Sequence, residues 1–350
     1  FIMINKRLIV EASNIHLGGG YILLQQLLTQ LEVENQRTIV FLDSRLEGVI
    51  KGHSNLEIHF VKATLIGRLT HYLALPKIPR LNDTLFCFGN IPPFATPSGC
   101  RSIVFLQNWF LICSWRKVKA DNIAVYIRLV VERFLLRMFA KNISLLIVQS
   151  ESMKRQVQNQ LPDLRVLVQP FFSMPEIQKN ESSDFYFYPA RGDKSKNHLN
   201  LVNGWIELSK HGIRPRLVIT IDSCVNPDLT CWIDEMIDKY ALNIENIGFV
   251  DISAIGILYS QSPVIIFPSY FESFGLPLVE ANALDLEVIA PELDYVRDVC
   301  TPQETFDPHS ARSIARAVLR HRRLDSDIKC GSAADIINTL LFRDAYSDEN

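Results

Sequence analysis

A chain of 350 residues has room for two globular domains, and 48% apolar with 21% charged residues excludes a disordered or collagen-like chain. No run of 18 apolar residues occurs, and Glu11 interrupts the apolar start before a signal-peptide core could form. Neither a membrane-spanning helix nor a cleaved leader is expected. The net charge of −2 hides a split: residues 1–172 hold 20 Lys/Arg against 11 Asp/Glu (+9), and residues 173–350 hold 16 against 27 (−11), so the two halves should meet different partners. Seven cysteines with no C-x-x-C pair read as reduced thiols in a cytoplasmic protein, without a disulfide framework or a zinc site.

In chain order, strand-like apolar runs alternate with helical patterns. Arg7–Val10 reads as a strand and Gly20–Leu31 as a helix; Thr38–Leu42, Leu56–Val61, Thr84–Phe88, Ser102–Leu106 and Leu145–Val148 read as further strands. A stretch with two prolines and a polar tail follows. The alternation then restarts, with strands at Phe185–Tyr188, Arg216–Ile221, Ile247–Val250, Val264–Phe267 and Val288–Ala290. Such alternation predicts parallel, doubly wound sheets, and two runs of it predict an α/β protein of two Rossmann-like domains facing across a cleft. The first domain reads as 1–172, with a C-terminal helix at 330–350 that could complete it; 173–184 reads as the linker and 185–330 as the second domain.

Ligands of such folds bind outside the carboxyl ends of the strands. In the first half, Gly18-Gly19-Gly20 lies between a strand and its helix. Three glycines let the backbone approach a ligand and aim N–H groups at an anion, or simply make a tight turn; the G-x-G-x-x-G fingerprint is absent. His16, just before them, could face an acceptor or lie exposed as a bystander. Between Trp109 and Lys141, the cations Arg116, Lys117, Lys119, Arg128, Arg133, Arg137 and Lys141 oppose only Asp121 and Glu132, with aromatic residues interleaved. This is a candidate surface for an anionic membrane or a phosphate-bearing acceptor. The plainer alternative is an amphipathic helix over Ile123–Ala140 with an apolar core stripe and a solvated basic face. No nucleic-acid-binding motif appears, so nucleic acid is not an expected partner. Ser150 opens a helix and reads as a cap rather than a ligand.

In the second half, Arg191, Lys194 and Lys196 follow the Phe185–Tyr188 strand, beside a helix that Asn197 can cap. Cations at a helix N-terminus are the ingredients of a phosphate site, the alternative being three solvated charges in a loop. After the Val264–Phe267 strand comes Glu272-Ser-Phe-Gly275-Leu-Pro277-Leu-Val-Glu280. Gly275 permits an unusual backbone angle, Pro277 suits the first turn of a helix, and Glu280, about one turn in, tilts back toward the cleft.

The stretch Phe267–Ala281, with Val288–Asp298 after it, resembles the E-x7-E segment of GT-B-fold glycosyltransferases of family 4, which retain anomeric configuration. The glycine loop and the Arg191/Lys196 pair resemble the same family, and the similarity is strongest from about 185 to 310. The resemblance implies that Arg191 and Lys196 hold a donor diphosphate, with Lys194 able to replace either. It implies Glu280 on the ribose, Glu272 on the donor sugar, and the N–H groups of Phe274, Gly275 and Leu276 on sugar or phosphate. Phe249 and Val250 would lie against the base, and Gly18, Gly19 and Gly20 would border the donor. Gln107, with Asn108 beside it on the acceptor side, stands where many members have a histidine, and Asp285-Leu286-Glu287 stands where Gly-x-Pro is usual. The implied activity is metal-independent transfer of a sugar, with no cofactor, from a UDP-sugar to a lipid-linked or polysaccharide acceptor. The implied setting is bacterial surface-polysaccharide (O-antigen or capsule) assembly on the inner face of the cytoplasmic membrane. Other readings are a nucleotide-sugar epimerase or phosphorylase of the same fold, or a non-catalytic module that binds glycan or a partner enzyme.

Overall fold

The computed structural model describes residues 7–50, 55–113, 123–172, 184–261 and 263–324. Residues 173–183 of the expected 173–184 linker, the expected helix at 330–350 and the cations Arg116, Lys117 and Lys119 lie outside the described residues. Within them the chain forms two all-parallel sheets. The first contains β1 (Leu8–Ala12), β2 (Thr38–Asp43), β3 (Leu56–Val61), β4 (Thr84–Cys87), β5 (Arg101–Phe105), β6 (Leu145–Val148) and β7 (Val166–Val168), in the order β3-β2-β1-β4-β5-β6-β7. The second contains β8 (Phe185–Tyr188), β9 (Arg216–Ile219), β10 (Ile244–Asn246), β11 (Val264–Ile266), β12 (Val288–Pro291) and β13 (Glu304–Phe306), in the order β10-β9-β8-β11-β12-β13. The helices are α1 (Gly18–Val33), α2 (Leu65–Ala74), α3 (Ile123–Met138), α4 (Glu151–Gln160), α5 (His198–Lys210), α6 (Pro227–Tyr240), α7 (Ile252–Ser260), α8 (Leu276–Ala283), α9 (Asp294–Arg297) and α10 (Ala311–His321).

This is the doubly wound α/β architecture that the alternation predicts. Helices cover both faces of each sheet, so central strands are apolar throughout rather than alternating. All four residues of β8 and all four of β12 are buried. The first sheet carries a separate apolar cluster on each face, and the second domain closes around one large core that includes Trp205, Tyr186 and Phe267.

Two local expectations are corrected. The strand read at Ile247–Val250 is β10, Ile244–Asn246. The Asn246 side chain accepts from the N–H groups of Ile221 (2.9 Å) and Gly248 (3.3 Å), and Gly248 turns at φ 72°. Phe249 and Val250 therefore belong to a loop at the strand's carboxyl end. The core stripe of the plainer alternative for the long basic helix also holds only in part. On α3 only Leu129, Arg133 and Leu136 are buried, while Ile123, Ile127, Val131 and Phe134 are exposed. Arg133 is held inside because its guanidinium donates to Phe110 O (3.3 Å) and Gln160 Oε1 (3.2 Å). Finally, Asp285 adopts φ 49°, so an aspartate makes the left-handed turn where a glycine would be at ease.

Candidate active site

Each sheet reverses its winding next to its first strand, between β1 and β4 and between β8 and β11. Crevices form at such switch points, outside the strand ends. The segments after β1, β8 and β11 line one cleft of about 660 Å³ between the two sheets, a size that suits a small ligand.

The loop after β8 carries Arg191 and Lys196 into this cleft, and buried polar groups fix it from below. The Tyr188 hydroxyl donates to Lys196 O (2.8 Å) and pairs with Ser269 Oγ (2.9 Å). Burial pushes the Tyr188 phenol well above its ordinary value, so it stays a neutral donor. The Tyr270 N–H donates to Ser195 O at 3.0 Å, tying the β8 loop to the β11 loop. Asn197 does not cap α5 with its side chain. It takes a left-handed conformation (φ 62°), and its amide donates to Pro268 O (3.0 Å) and Pro308 O (2.7 Å). The residue read as a cap instead pins the two cleft loops together.

Lys196 Nζ meets Glu272 Oε1 at 2.6 Å, with both side chains largely shielded from water. Arg191, more exposed, lies 3.9 Å from Asp193. Lys194 opens the short turn that ends at Lys196 and does not line the cleft. Gly275, at φ 73°, starts α8, and Pro277 occupies the first turn. Phe274, Gly275 and Leu276 line the cleft there, and so does Glu280 one turn further on. Glu280 is held by a residue that sequence reading missed: the Tyr259 hydroxyl of α7 donates to Glu280 Oε2 at 2.5 Å. Burial raises the Glu280 carboxyl, and the hydrogen bond from Tyr259 partly offsets this. Asn226 was also missed; it lies so close to Gly192 that a Cβ there would come within 2.6 Å of it. Neither residue carries a sequence signal, because each arrives from a different element.

The first domain forms the opposite wall. Gly18 sits at φ 71°, and a Cβ on Gly19 would come within 3.0 Å of Leu276. The glycines thus allow the two domains to approach closely. A Cβ on Gly20 would come within 3.0 Å of Gln107 Oε1, and Gln107 donates its amide to Phe88 O at 2.8 Å. Gln107 lines the cleft, whereas Asn108 and His16 do not. The Asn108 side-chain Oδ1 accepts from the Phe110 N–H (3.0 Å) and caps a short turn. Burial and the Arg45 guanidinium lower the His16 pKa, so its imidazole resists protonation. Phe249 and Val250 form part of the rim, with Phe249 76% exposed.

The domains also meet beside Glu272. The Trp109 N–H donates to Ser273 Oγ (3.1 Å), and Ser150 Oγ donates to Ser273 O (3.2 Å). Phe271 stacks on Trp109 with ring centroids 4.7 Å apart. Ser150 fulfils its capping role as well, accepting from the Met153 N–H. Among the described residues, no group of three or more His, Cys, Asp or Glu is placed to hold a metal, and no helix is long and apolar enough to cross a membrane.

Comparisons with known proteins agree with this geometry. Residues 171–325 match the model of the family described as glycosyl transferases group 1. No curated protein matches the chain. Among solved structures, sucrose-phosphate synthase from Thermosynechococcus elongatus superposes with a TM-score of 0.66 at 16% identity, over 91% of this chain and 90% of that one. The Anabaena protein HepE, in complex with UDP and glucose, gives 0.63 at 13% identity over 91% and 90%. A glycosyltransferase from Rickettsia africae gives 0.60 at 14% identity over 91% and 89%. The fold is therefore GT-B, with the matched family domain in the second half.

Proposed function

From a glycosyl transferases group 1 domain joined to a second Rossmann-like domain, we propose a retaining glycosyltransferase of the family 4, E-x7-E type. It moves a sugar from a nucleotide donor, UDP-linked, to a lipid-linked or polysaccharide acceptor. The observation that carries this reading is the convergence of Arg191, Lys196, Glu272 and Glu280 on one cleft between the domains. HepE, a similar fold solved in complex with UDP and glucose, supports the choice of donor.

The chemistry follows from these groups. As the glycosidic bond breaks, negative charge grows on the departing diphosphate. Arg191 and Lys196 offer fixed cations where that charge develops. An ammonium has three donors, so Lys196 can keep its bond to Glu272 and still offer two N–H groups to phosphate. Two cations in this position make a metal unnecessary. Glu272 orients Lys196 and meets the sugar hydroxyls, and Glu280, held by Tyr259, receives the ribose hydroxyls. The Gln107 amide cannot take a proton. The acceptor hydroxyl therefore passes its proton to a departing phosphate oxygen on the face from which it attacks, and configuration is retained.

The acceptor side supports work at the inner face of the cytoplasmic membrane, in surface-polysaccharide assembly. Leu65, Ile66, Leu69 and Leu73 of α2 are exposed, as are Ile123, Ile127, Val131 and Phe134 of α3, with Arg128 and Arg137 on the same helix as the latter four. Apolar side chains flanked by cations suit an anionic lipid surface. Replacing Ile66 and Ile127 with glutamate should abolish co-flotation with vesicles containing phosphatidylglycerol; undiminished flotation would refute the membrane assignment.

The donor assignment is tested by ligand-observed NMR against UDP-, GDP-, ADP- and CMP-sugars. One UDP-sugar should bind, and Glu280→Ala should weaken it by about 1–3 kcal/mol through loss of the ribose hydrogen bonds. Unchanged affinity in that variant would remove Glu280 from the donor site.

A further inference from the structure

Strand β2 ends at Asp43, which is wholly buried. Arg45 grips its carboxylate with two bonds (2.8 and 2.6 Å), and Arg68 of α2 adds a third at 3.0 Å. These bonds hold the Asp43 carboxyl down at about 2 against the desolvation that would raise it. Arg128 of α3 stands 3.7 Å from Glu132, whose carboxyl burial pushes upward despite Arg128 and Arg68. Three guanidiniums thus stand against two carboxylates. The cluster carries surplus positive charge.

Its geometry points that charge outward. The Arg45, Arg68 and Arg128 side chains retain 46%, 29% and 58% of their exposure, while Asp43 is sealed beneath the first two. His16 registers the imbalance: Arg45, Arg68 and Arg128 all depress its pKa alongside burial, and Asp43 opposes them. The cluster also lies beside the start of the loop that forms the first-domain wall of the cleft. Asp43 follows Leu42, which pairs with Ala12 of β1. The loop from Ala12 runs through His16 into Gly18–Gly20, on the cleft wall. It therefore flanks the first-domain wall, opposite the Arg191 and Lys196 loop.

We propose that Arg45, Arg68 and Arg128 form an anion subsite that binds a phosphate or diphosphate group of the acceptor, with Asp43 as the positioning residue that splays the first two guanidiniums. The proposal deepens the glycosyltransferase reading and rests on it for the word acceptor. Bidentate guanidinium–phosphate pairing is the chemistry such a fork serves. The anion can come from a soluble sugar phosphate or from a lipid diphosphate headgroup.

The test uses the full chain with labelled histidines and saturating UDP, so that the cations of the β8 loop are already occupied. Inorganic phosphate, glycerol 3-phosphate, and farnesyl diphosphate in phosphatidylcholine vesicles are titrated while the His16 resonance is followed. Binding of an anion should raise the His16 pKa. Arg45→Gln with Arg68→Gln should weaken anion binding roughly tenfold or more, a loss of one charged contact or better, and leave UDP affinity unchanged. Arg128→Gln, which does not touch Asp43, should weaken it in the same direction and guards against misfolding of the double variant. Saturation by the soluble phosphates identifies a soluble acceptor; preference for the prenyl diphosphate identifies a lipid one. A His16 resonance that ignores every anion, or a response that survives these substitutions, overturns the subsite. UDP binding in the same sample reports separately on the donor reading.

Discussion

Single side chains behind the cleft decide how firmly it is held. His198 follows Asn197 into the interior, its ring tilted against Tyr188 with centroids 4.9 Å apart, and burial with Lys196 nearby lowers its pKa to about 3. The folded state therefore refuses a proton that the unfolded chain accepts near 6.5. The stability this histidine contributes is complete above pH 6.5 and is lost as pH falls toward 3. His198→Phe should flatten the fall in thermal stability across that window, as followed by circular dichroism melts; an unchanged slope would place the acid sensitivity elsewhere. Residues of the Glu272–Glu280 segment were legible because their local order carries the chemistry: a strand end, a glycine, a proline and a carboxylate one turn in. Tyr259 was not, because its partner Glu280 is 21 residues away on another helix. Asn197 was legible as special but not in its role, since the carbonyls it binds belong to distant loops.

At the scale of elements, the loop around Glu272 is held by the first domain as well as by the second. Phe271 and Ser273 flank Glu272, and both are engaged from across the cleft by Trp109 and Ser150. Removing the stacked ring by Trp109→Ala should loosen that loop and weaken donor affinity about two- to tenfold, the range an aromatic pair supplies. Stopped-flow release of nucleotide would show faster dissociation; an unaltered off-rate would mean that the loop holds its shape alone. Elements with strong apolar runs, such as β6 and β8, were read from the sequence with their observed bounds. The three-residue edge strands β7 and β13 were not, because so short a run has no periodicity of its own. On α3, periodicity marked the helix, while tertiary packing chose which of its residues to bury: Arg133 found carbonyl partners, and several aliphatic neighbours did not.

For the whole molecule, alternation of strand and helix was enough to foretell two parallel sheets, and the switch points of those sheets place the motifs in one cleft. The charge split acquires a physical meaning in this frame. The basic half presents guanidiniums around Asp43 and exposed aliphatics on α2 and α3, while the acidic half sets two of its cations, Arg191 and Lys196, in the cleft on the β8 loop. That concentration of charge is the central claim, because it assigns the chemistry to Lys196 and Arg191 acting on a departing diphosphate. It is tested most directly by acceptor-independent hydrolysis of the UDP-sugar that binds, measured for the wild type and for Lys196→Ala. A cation that meets charge developing in the transition state should matter more to turnover than to binding. The account predicts a fall in kcat on the order of 10²–10³, with a much smaller change in UDP affinity. Equal losses in kcat and in UDP affinity, or no loss in kcat at all, would contradict it.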